Sequence, residues 1–190
     1  MGDPVQFGIV KNLARPGGNI TGVAGFGHDL AGKRLSLLKE TVPSMTRLAV
    51  LGNPANKLLP EMYRQQEERA RKLGIEARLY EITDPSALEP AFAAMARNRA
   101  QGLLHFPDPM LEGLLGKVFE LAVRHRLAAI YENPMTADRG GLMAYGPVYD
   151  ALSRSAAEWL DKILRGAKPG DLPIVPTTTF GSGAVMTAAR

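Results

Sequence analysis

The stretch that decides the fold is RLAVLGNPAN (Arg47–Asn56), in which a short apolar run ends in a turn. An apolar run of this length, bounded by Gly, Asn and Pro, predicts a strand that is buried on both faces. A helix is predicted next, because Pro60 suits its first turn, Met62–Leu73 continues it, and Gly74 suits the position after its end. The alternating segment IEARLYEI (Ile75–Ile82) then predicts a second strand. A strand, a helix and a strand in this order predict a parallel βαβ unit.

The same alternation of strands and helices extends on both sides of this unit. Upstream, a helix that ends at Pro43 carries apolar residues on one face, namely Leu30, Leu35, Leu38 and Val42. Downstream, the pattern predicts a helix capped by Asp84 or Ser86, a strand at Gly102–Phe106, a helix at Met110–His125, strands at Ala128–Glu132 and Leu142–Gly146, and a helix at Val148–Leu164. Strands separated by helices of this length predict an α/β fold, with a doubly wound parallel sheet covered on both faces.

The two ends of the chain fit this pattern less well. Near the amino end, PVQFGIVKNLA (Pro4–Ala14) predicts a helical fragment, and a Pro-Gly-Gly turn separates it from the short strand ITGVAGF (Ile20–Phe26). Near the other end, IVPTTTF (Ile174–Phe180) predicts an extended piece, and a weak tail rich in Gly, Ser and Ala follows it. Because neither end supplies a full βα unit, both are expected to be parts of an adjacent second lobe.

Composition and charge exclude several classes of protein. The chain has 190 residues, of which 45% are hydrophobic and 22% charged, as in ordinary globular proteins. Its net charge of +4 comes from basic residues interleaved with acidic ones, as in Arg64–Lys72, which favours a solvated helix over a nucleic-acid-binding stripe. The absence of Cys excludes disulfides, thiolate catalysis and Cys-based zinc sites. The first ten residues do not predict a signal peptide, and no apolar run approaches the roughly 20 residues of a membrane span.

Candidate ligand-binding residues follow the predicted strands. In open parallel sheets, ligands bind beyond the carboxyl ends of the strands. The loops at that edge are NPAN (Asn53–Asn56), TDP (Thr83–Pro85), PDP (Pro107–Pro109), YENP (Tyr131–Pro134) and YGP (Tyr145–Pro147). Asn and Asp in such loops can also cap the next helix, so both interpretations stay open at each position. Five such loops at one edge favour a site for a small polar molecule.

The residues available for catalysis are few. Of the three histidines, His125 lies at a predicted helix end where a cation is favoured, and His28 lies outside any motif. His105 and Asp108 could form an acid–base pair, but a strand end and a proline turn separate them and nothing brings their side chains together. The chain has no phosphate-binding glycine loop, no Gly-x-Ser-x-Gly motif and no metal-ligand spacing. We therefore expect a binding protein without cofactor or metal.

An ordered series of motifs between Asp3 and Phe180 resembles the substrate-binding proteins of a bacterial ABC transporter family. The motifs are GIVKNLARPGGNITGV, AGKRLSLLKETVPSMTRLAVLGNPAN, LAAIYENP, GGLMAYGP and WLDKILRGAKPGDLPIVPTTTF. The resemblance implies a type I periplasmic-binding-protein fold, in which two Rossmann-like α/β lobes clamp a ligand and a permease senses the closure. It also implies a small organic solute such as an amino acid, and a periplasmic or extracellular location.

The resemblance also implies how the chain is divided. Residues 1–27 correspond to a remnant of lobe one with the crossover, residues 28–147 to the complete ligand-binding lobe two, and residues 148–190 to the return helix and another remnant of lobe one. An export signal and about the first hundred residues of the family pattern are missing, and the end GSGAVMTAAR departs from it, so a fragment is expected. Exposed lobe-one remnants would favour a homodimer.

The ligand-facing residues are assigned from their places at strand ends within this family pattern. Polar contacts are expected from Asn53, Asn56, Asp108, Tyr131 and Glu132, and apolar walls from Phe106 and Tyr145. The Asn and Asp side chains would orient polar groups, Glu132 would pair with an amino group, and the rings would stack on the ligand. Two alternatives remain open, a ligand-sensing module of a regulatory protein and a cytoplasmic α/β enzyme that uses His105 and Asp108.

Overall fold

A computed structural model of the chain describes residues 4–5, 8–24, 30–177 and 179–184. Its strands are β1 (Val23–Ala24), β2 (Arg47–Gly52), β3 (Glu76–Glu81), β4 (Gly102–His105), β5 (Ala128–Tyr131), β6 (Met143–Pro147), β7 (Val175–Pro176) and β8 (Phe180–Ala184). Its α-helices are α1 (Ala31–Thr41), α2 (Leu59–Lys72), α3 (Leu88–Arg97), α4 (Pro109–Gly113), α5 (Leu115–Arg124) and α6 (Tyr149–Leu164). Within these residues, no helix is long and apolar enough to cross a membrane.

A six-stranded sheet in the order β3-β2-β4-β5-β6-β8 forms the centre of the fold. The pairs β2–β3, β2–β4, β4–β5 and β5–β6 are all parallel. Arg47 lies opposite Glu76 in one neighbour of β2, and Leu48 lies opposite Gly102 in the other. The predicted α/β class with a parallel sheet is confirmed.

Side chains of the central strands point alternately to two separate hydrophobic cores. Ala49 and Leu51 of β2 belong to one core, which also contains buried residues of α3 and α5. Leu48 and Val50 belong to the other core, which contains buried residues of α1 and α2. This alternation is the two-residue period of a strand, and helices on both faces bury both sets. The doubly wound arrangement is therefore confirmed.

The chain divides into two compact units. Unit 1 is Met1–Leu30 with Gly146–Gly181, and unit 2 is Ala31–Tyr145 with Ser182–Arg190. In unit 1, β1 pairs in parallel with β7, and Val10, Ala24 and Ile174 form a small apolar cluster. Unit 2 contains β2 to β5 and both large cores. The assignment of chain segments to two family lobes stays a prediction.

Two predicted helices differ in the structure. The helix predicted over Met110–His125 is two helices, α4 and α5, which meet at Leu114 with φ −102° and ψ 1°. Gly113 weakens the helix at this junction because glycine has a low helix propensity. The fragment predicted over Pro4–Ala14 forms turns and bends in its described residues, where Gly8 adopts a φ of +66° that a right-handed helix excludes.

Residues 180–184, which include the start of the tail predicted to be weak, form a strand of the sheet. β8 is next to β6 at the edge, although its sequence FGSGA has weak strand propensity. A Cβ at Gly183 would lie 2.7 Å from the Ala137 Cβ and 2.8 Å from the Pro134 carbonyl oxygen. Glycine therefore allows a close approach that only the folded chain reveals. Residues 185–190 and His28 lie outside the described residues.

Candidate functional site at the carboxyl edge of the sheet

The strand order in unit 2 creates one topological switch point. From β2 the chain continues to its neighbour β3 on one side and then crosses to β4 on the other side. Adjacent strand ends at such a point leave a crevice between diverging loops, which is where open α/β sheets bind ligands. The residues that follow β2 and β4 at this point include Asn53 and Asp108. Two of the predicted ligand-facing side chains therefore lie at the position that the topology favours.

Asn53 and Asp108 are joined directly. The Asn53 Nδ2 donates a hydrogen bond of 2.9 Å to Asp108 Oδ1. The same Oδ1 accepts a bond of 3.0 Å from the Met110 backbone N–H and so caps α4, and Asn53 Oδ1 accepts from the Ala55 N–H at 2.9 Å. The two side chains therefore bond both to nearby backbone N–H groups and to each other, and the backbone bonds hold them in place at the candidate site. Asp108 Oδ2 carries neither of these bonds, and the residue is only 8% exposed.

Asn56 and Tyr145 also lie at this edge and are half-buried. The Asn56 side-chain oxygen accepts a 3.0 Å bond from the Leu58 N–H in the turn that precedes α2. The Tyr145 carbonyl oxygen accepts a bond from a buried arginine, which locates β6 beside the site. Contact of either residue with a ligand stays a prediction.

Arg34 is the residue that the sequence analysis missed. It lies on α1, is fully buried, and donates from Nη1 to the Tyr145 carbonyl oxygen at 3.1 Å. Its Nη2 is 3.4 Å from Oε2 of Glu132, which follows β5 and is also buried. A signal existed, because Arg34 is three residues after Ala31 and four before Leu38, on the buried face of α1. A charged side chain at a position where the helix pattern predicts burial indicates that a buried group of opposite charge or a hydrogen-bond acceptor pairs with it.

His105, the last residue of β4, is buried beside this ion pair. The pKa of His105 is lowered to about 4, first by burial and then by the positive charge of Arg34, against the opposing negative charge of Asp108. The imidazole is therefore neutral at neutral pH, and its Nε2 has no hydrogen-bond partner among the described residues. The predicted acid–base pair gains no support from this geometry, since Asp108 Oδ1 bonds Asn53 and the Met110 N–H instead.

Tyr131 and Phe106 require a correction, because their rings lie in the cores and not at the open edge. Tyr131 is 1% exposed, and its ring meets Phe119 edge-on at a centroid distance of 5.0 Å. Burial raises the pKa of the Tyr131 phenol. Tyr131 belongs to the core that contains α3 and α5, and the buried Phe106 to the core that contains α1 and α2.

Carboxylates outnumber cations at this edge. Glu112 on α4 is half-buried, and its pKa is raised first by burial and then by the negative charges of Glu132 and Asp108, with Arg139 opposing them. The electrostatic coupling shows that these three acids share one neighbourhood, in which Arg34 pairs with Glu132. No group of three or more acidic or histidine side chains in the described part of the chain is placed to hold a metal ion. The excess of negative charge suits a ligand with a cationic or amino group.

This chain belongs to the ABC transporter substrate binding protein family, whose sequence model matches residues 1–183. It is 25% identical over 173 residues to a tyrosine-binding protein of Clostridioides difficile (strain R20291), covering 90% of this chain and 49% of that protein. The chain thus spans about half the length of the curated relative that it matches.

Solved structures show the same fold. An ABC domain from Streptococcus pneumonia in complex with L-Trp superposes with a TM-score of 0.81 at 20% identity, covering 95% of this chain and 60% of that one. A conserved domain protein from Vibrio cholerae O1 biovar El Tor has a TM-score of 0.82 at 21% identity, with the same coverage. The predicted family and fold are both confirmed.

Proposed function

We propose that this chain is the solute-binding component of an ABC importer and binds an amino acid, or a similar small solute with a free amino group, without transforming it. The observation that carries the proposal is the hydrogen bond between Asn53 and Asp108 at the switch point of the sheet. Membership of the substrate-binding family supports the transport role. The names of two relatives, which mention tyrosine and L-Trp, support the class of solute.

The proposed contacts follow from charge and burial. Asp108 Oδ2 would accept a hydrogen bond from the solute's ammonium group, and Asn53 would hold Asp108 in position. Glu132 would add negative charge from the neighbouring loop, with Arg34 behind it fixing its orientation. Glu112 would strengthen the negative potential from α4. Asn56 and Tyr145 would complete the wall at their half-buried positions.

The importer role implies a membrane permease as partner and a periplasmic or extracellular location. Membership of the ABC transporter substrate binding protein family supports both. The poor catalytic set supports binding without chemistry, because His105 is neutral and buried and its carboxylate neighbour caps a helix. No nucleic-acid partner is part of the proposal.

Calorimetric titration with a panel of the common amino acids tests the function. We expect saturable binding of one or a few of them, and a loss of affinity of about tenfold or more for Asn53→Ala, which removes the donor that holds Asp108, and for Asp108→Asn, which removes the negative charge expected to face the ammonium group. Asp84→Asn is the matched control, since Asp84 caps the turn Pro85–Ala87 in the same way but lies beyond the edge strand β3. If the folded chain bound none of the amino acids, or if Asp84→Asn lost as much affinity as the two site variants, the proposal would be contradicted.

We also propose that α6 mediates a homodimer. None of the 16 residues of α6 is buried, and Leu160 and Leu164, which lie one helical turn apart on the same face, are 57% and 78% exposed. An apolar helix face of this kind favours association with a second copy. Light scattering should give a mass of twice 20.5 kDa for the chain and 20.5 kDa for the double variant L160K/L164K.

The control for the dimer is Val123→Lys, which changes a single exposed residue, at 74% exposure, on α5. It should leave the mass unchanged. A monomeric wild-type chain, or a dimer that survives both lysines on α6, would rule this interface out.

A further inference from the structure

A second cavity in unit 2 lies at the opposite end of the strands from the candidate site. It has a volume of about 210 Å³ and opens at the amino ends of β2 and β3. The side chains that give it its character are Arg47, Glu76, Arg78, Tyr80, Arg97 and Asn98. It shares no lining residue with the proposed solute site.

The strand register and the end of α3 shape this cavity. Glu76, Arg78 and Tyr80 alternate along β3 and therefore share one face, and Arg47 lies opposite Glu76 on β2. Asn98, which ends α3, donates from Nδ2 to the Tyr80 hydroxyl oxygen at 2.9 Å. Arg47 Nη1 donates to the Asn98 carbonyl oxygen at 3.1 Å. These bonds connect two strands and a helix end into one structured wall.

The charges in this wall do not balance. Three guanidinium groups face one carboxylate, that of Glu76, whose Oε2 is 4.0 Å from Arg47 Nε. Arg78 lies over the Tyr80 ring at 5.9 Å, and neither Arg78 nor Arg97 has an ion pair within the described residues. Two helix arginines of unit 2, by contrast, pair with a carboxylate one turn earlier or later in their own helix, Arg64 with Glu68 and Arg124 with Glu120. The local net charge of +2 therefore calls for an anion.

We propose that this cavity binds the phosphate group of a small ligand. A phosphate monoester carries a charge of about −1.5 to −2 at pH 7, which would neutralise the local excess. Arg97 and Arg78 can donate paired N–H groups to phosphate oxygens in the planar geometry that distinguishes Arg from Lys. The Tyr80 hydroxyl accepts from Asn98 and so has its own proton available for a third oxygen. The cavity volume leaves room for a small organic group attached to the phosphate.

Titration of the full chain with inorganic phosphate and, separately, with glycerol 3-phosphate tests this site at low ionic strength. We expect Arg97→Gln and Arg78→Gln each to weaken binding about tenfold, because each removes a charge-assisted contact. Glu76→Gln should strengthen binding several-fold, because it removes the only carboxylate of the wall. Arg124→Gln is the matched control, since Arg124 also lies in the last turn of a helix of unit 2 but pairs with Glu120.

The titration results either support or overturn the phosphate site. Binding of either probe with this pattern of variants supports a phosphate site, and the tighter probe shows whether free phosphate or a phosphate ester is the ligand. Equal weakening in Arg124→Gln would show only a general response to surface charge and would overturn the proposal. No detectable binding of either probe, or weaker binding in Glu76→Gln, would also overturn it. Amino acid titrations of the same variants should be unchanged, which separates this test from that of the solute site.

Discussion

Arg34→Met is expected to lower the free energy of unfolding by about 3–5 kcal/mol, because it leaves a buried carboxylate without its cation. Arg34 is fully buried, with Nη2 3.4 Å from Glu132 Oε2 and Nη1 bonded to the Tyr145 carbonyl oxygen. Methionine keeps much of the apolar stem but cannot compensate the charge of Glu132, which is only 8% exposed. Urea denaturation at pH 7 measures the change.

Two further variants locate the cause of that loss. The double variant Arg34→Met/Glu132→Gln should recover much of the stability, because it removes the orphaned charge as well. Arg64→Met is the control, since Arg64 pairs with Glu61 and Glu68 on the exposed surface of α2 and should matter far less. If Arg34→Met were no more harmful than Arg64→Met, the buried pair would not have the assigned role.

The second large expected effect is a loss of stability at acidic pH that is caused by the buried His105. Burial, together with the nearby charges of Arg34 and Asp108, lowers the folded-state pKa of His105 to about 4, against 6.5 for an ordinary histidine. Between these two values the unfolded chain binds a proton that the folded chain does not, so stability is full above pH 6.5 and falls as the pH drops toward 4. This group alone should remove about 2 kcal/mol of unfolding free energy between pH 7 and pH 5.

The groups around His105 modify this slope. Arg34 acts in the same direction as burial, and Asp108 opposes both. Glu112 has a raised pKa, so its contribution is present at low pH and lost as the pH rises, which has the opposite sign. The contribution of His105 is therefore the difference between the wild type and a variant that cannot titrate at this position.

His105→Asn provides that variant, and denaturation curves at pH 7 and pH 5 provide the measurement. The variant should lose about 2 kcal/mol less than the wild type over this interval. His125→Asn leaves His105 in place and should keep the wild-type drop. Identical slopes for His105→Asn and the wild type would contradict the assigned burial effect.

Much of the fold could be predicted because local patterns report local geometry. The apolar run at Arg47–Leu51 forms β2, and Pro60 and Gly74 lie at the start of α2 and just after its end, Gly74 with a φ of +69°. Asp84 does cap the segment before α3, where its side chain accepts from the Ser86 N–H at 2.8 Å. Strand ends are also local features, so the placement of Asn53 and Asp108 at one edge followed from the pattern of alternating elements.

The remaining features depend on contacts between distant segments. The bond between Asn53 and Asp108 links residues 55 positions apart, and that between Arg34 and Tyr145 links residues 111 positions apart. The direction of the Tyr131 ring, toward Phe119 and away from the edge, depends on how α5 packs. No periodicity within a window of about 11 to 18 residues carries such information.

From its sequence alone, this chain specifies a parallel α/β fold, its family and the edge of the sheet at which a solute is expected. These follow from the repeating period of apolar residues and from turn chemistry, both of which act within a few residues. Only the tertiary structure decided that Arg34 lies behind Glu132, that two predicted ligand rings belong to the cores, and that FGSGA completes the sheet. Burial and charge pairing are properties of the packed chain, because neighbours distant in sequence create them.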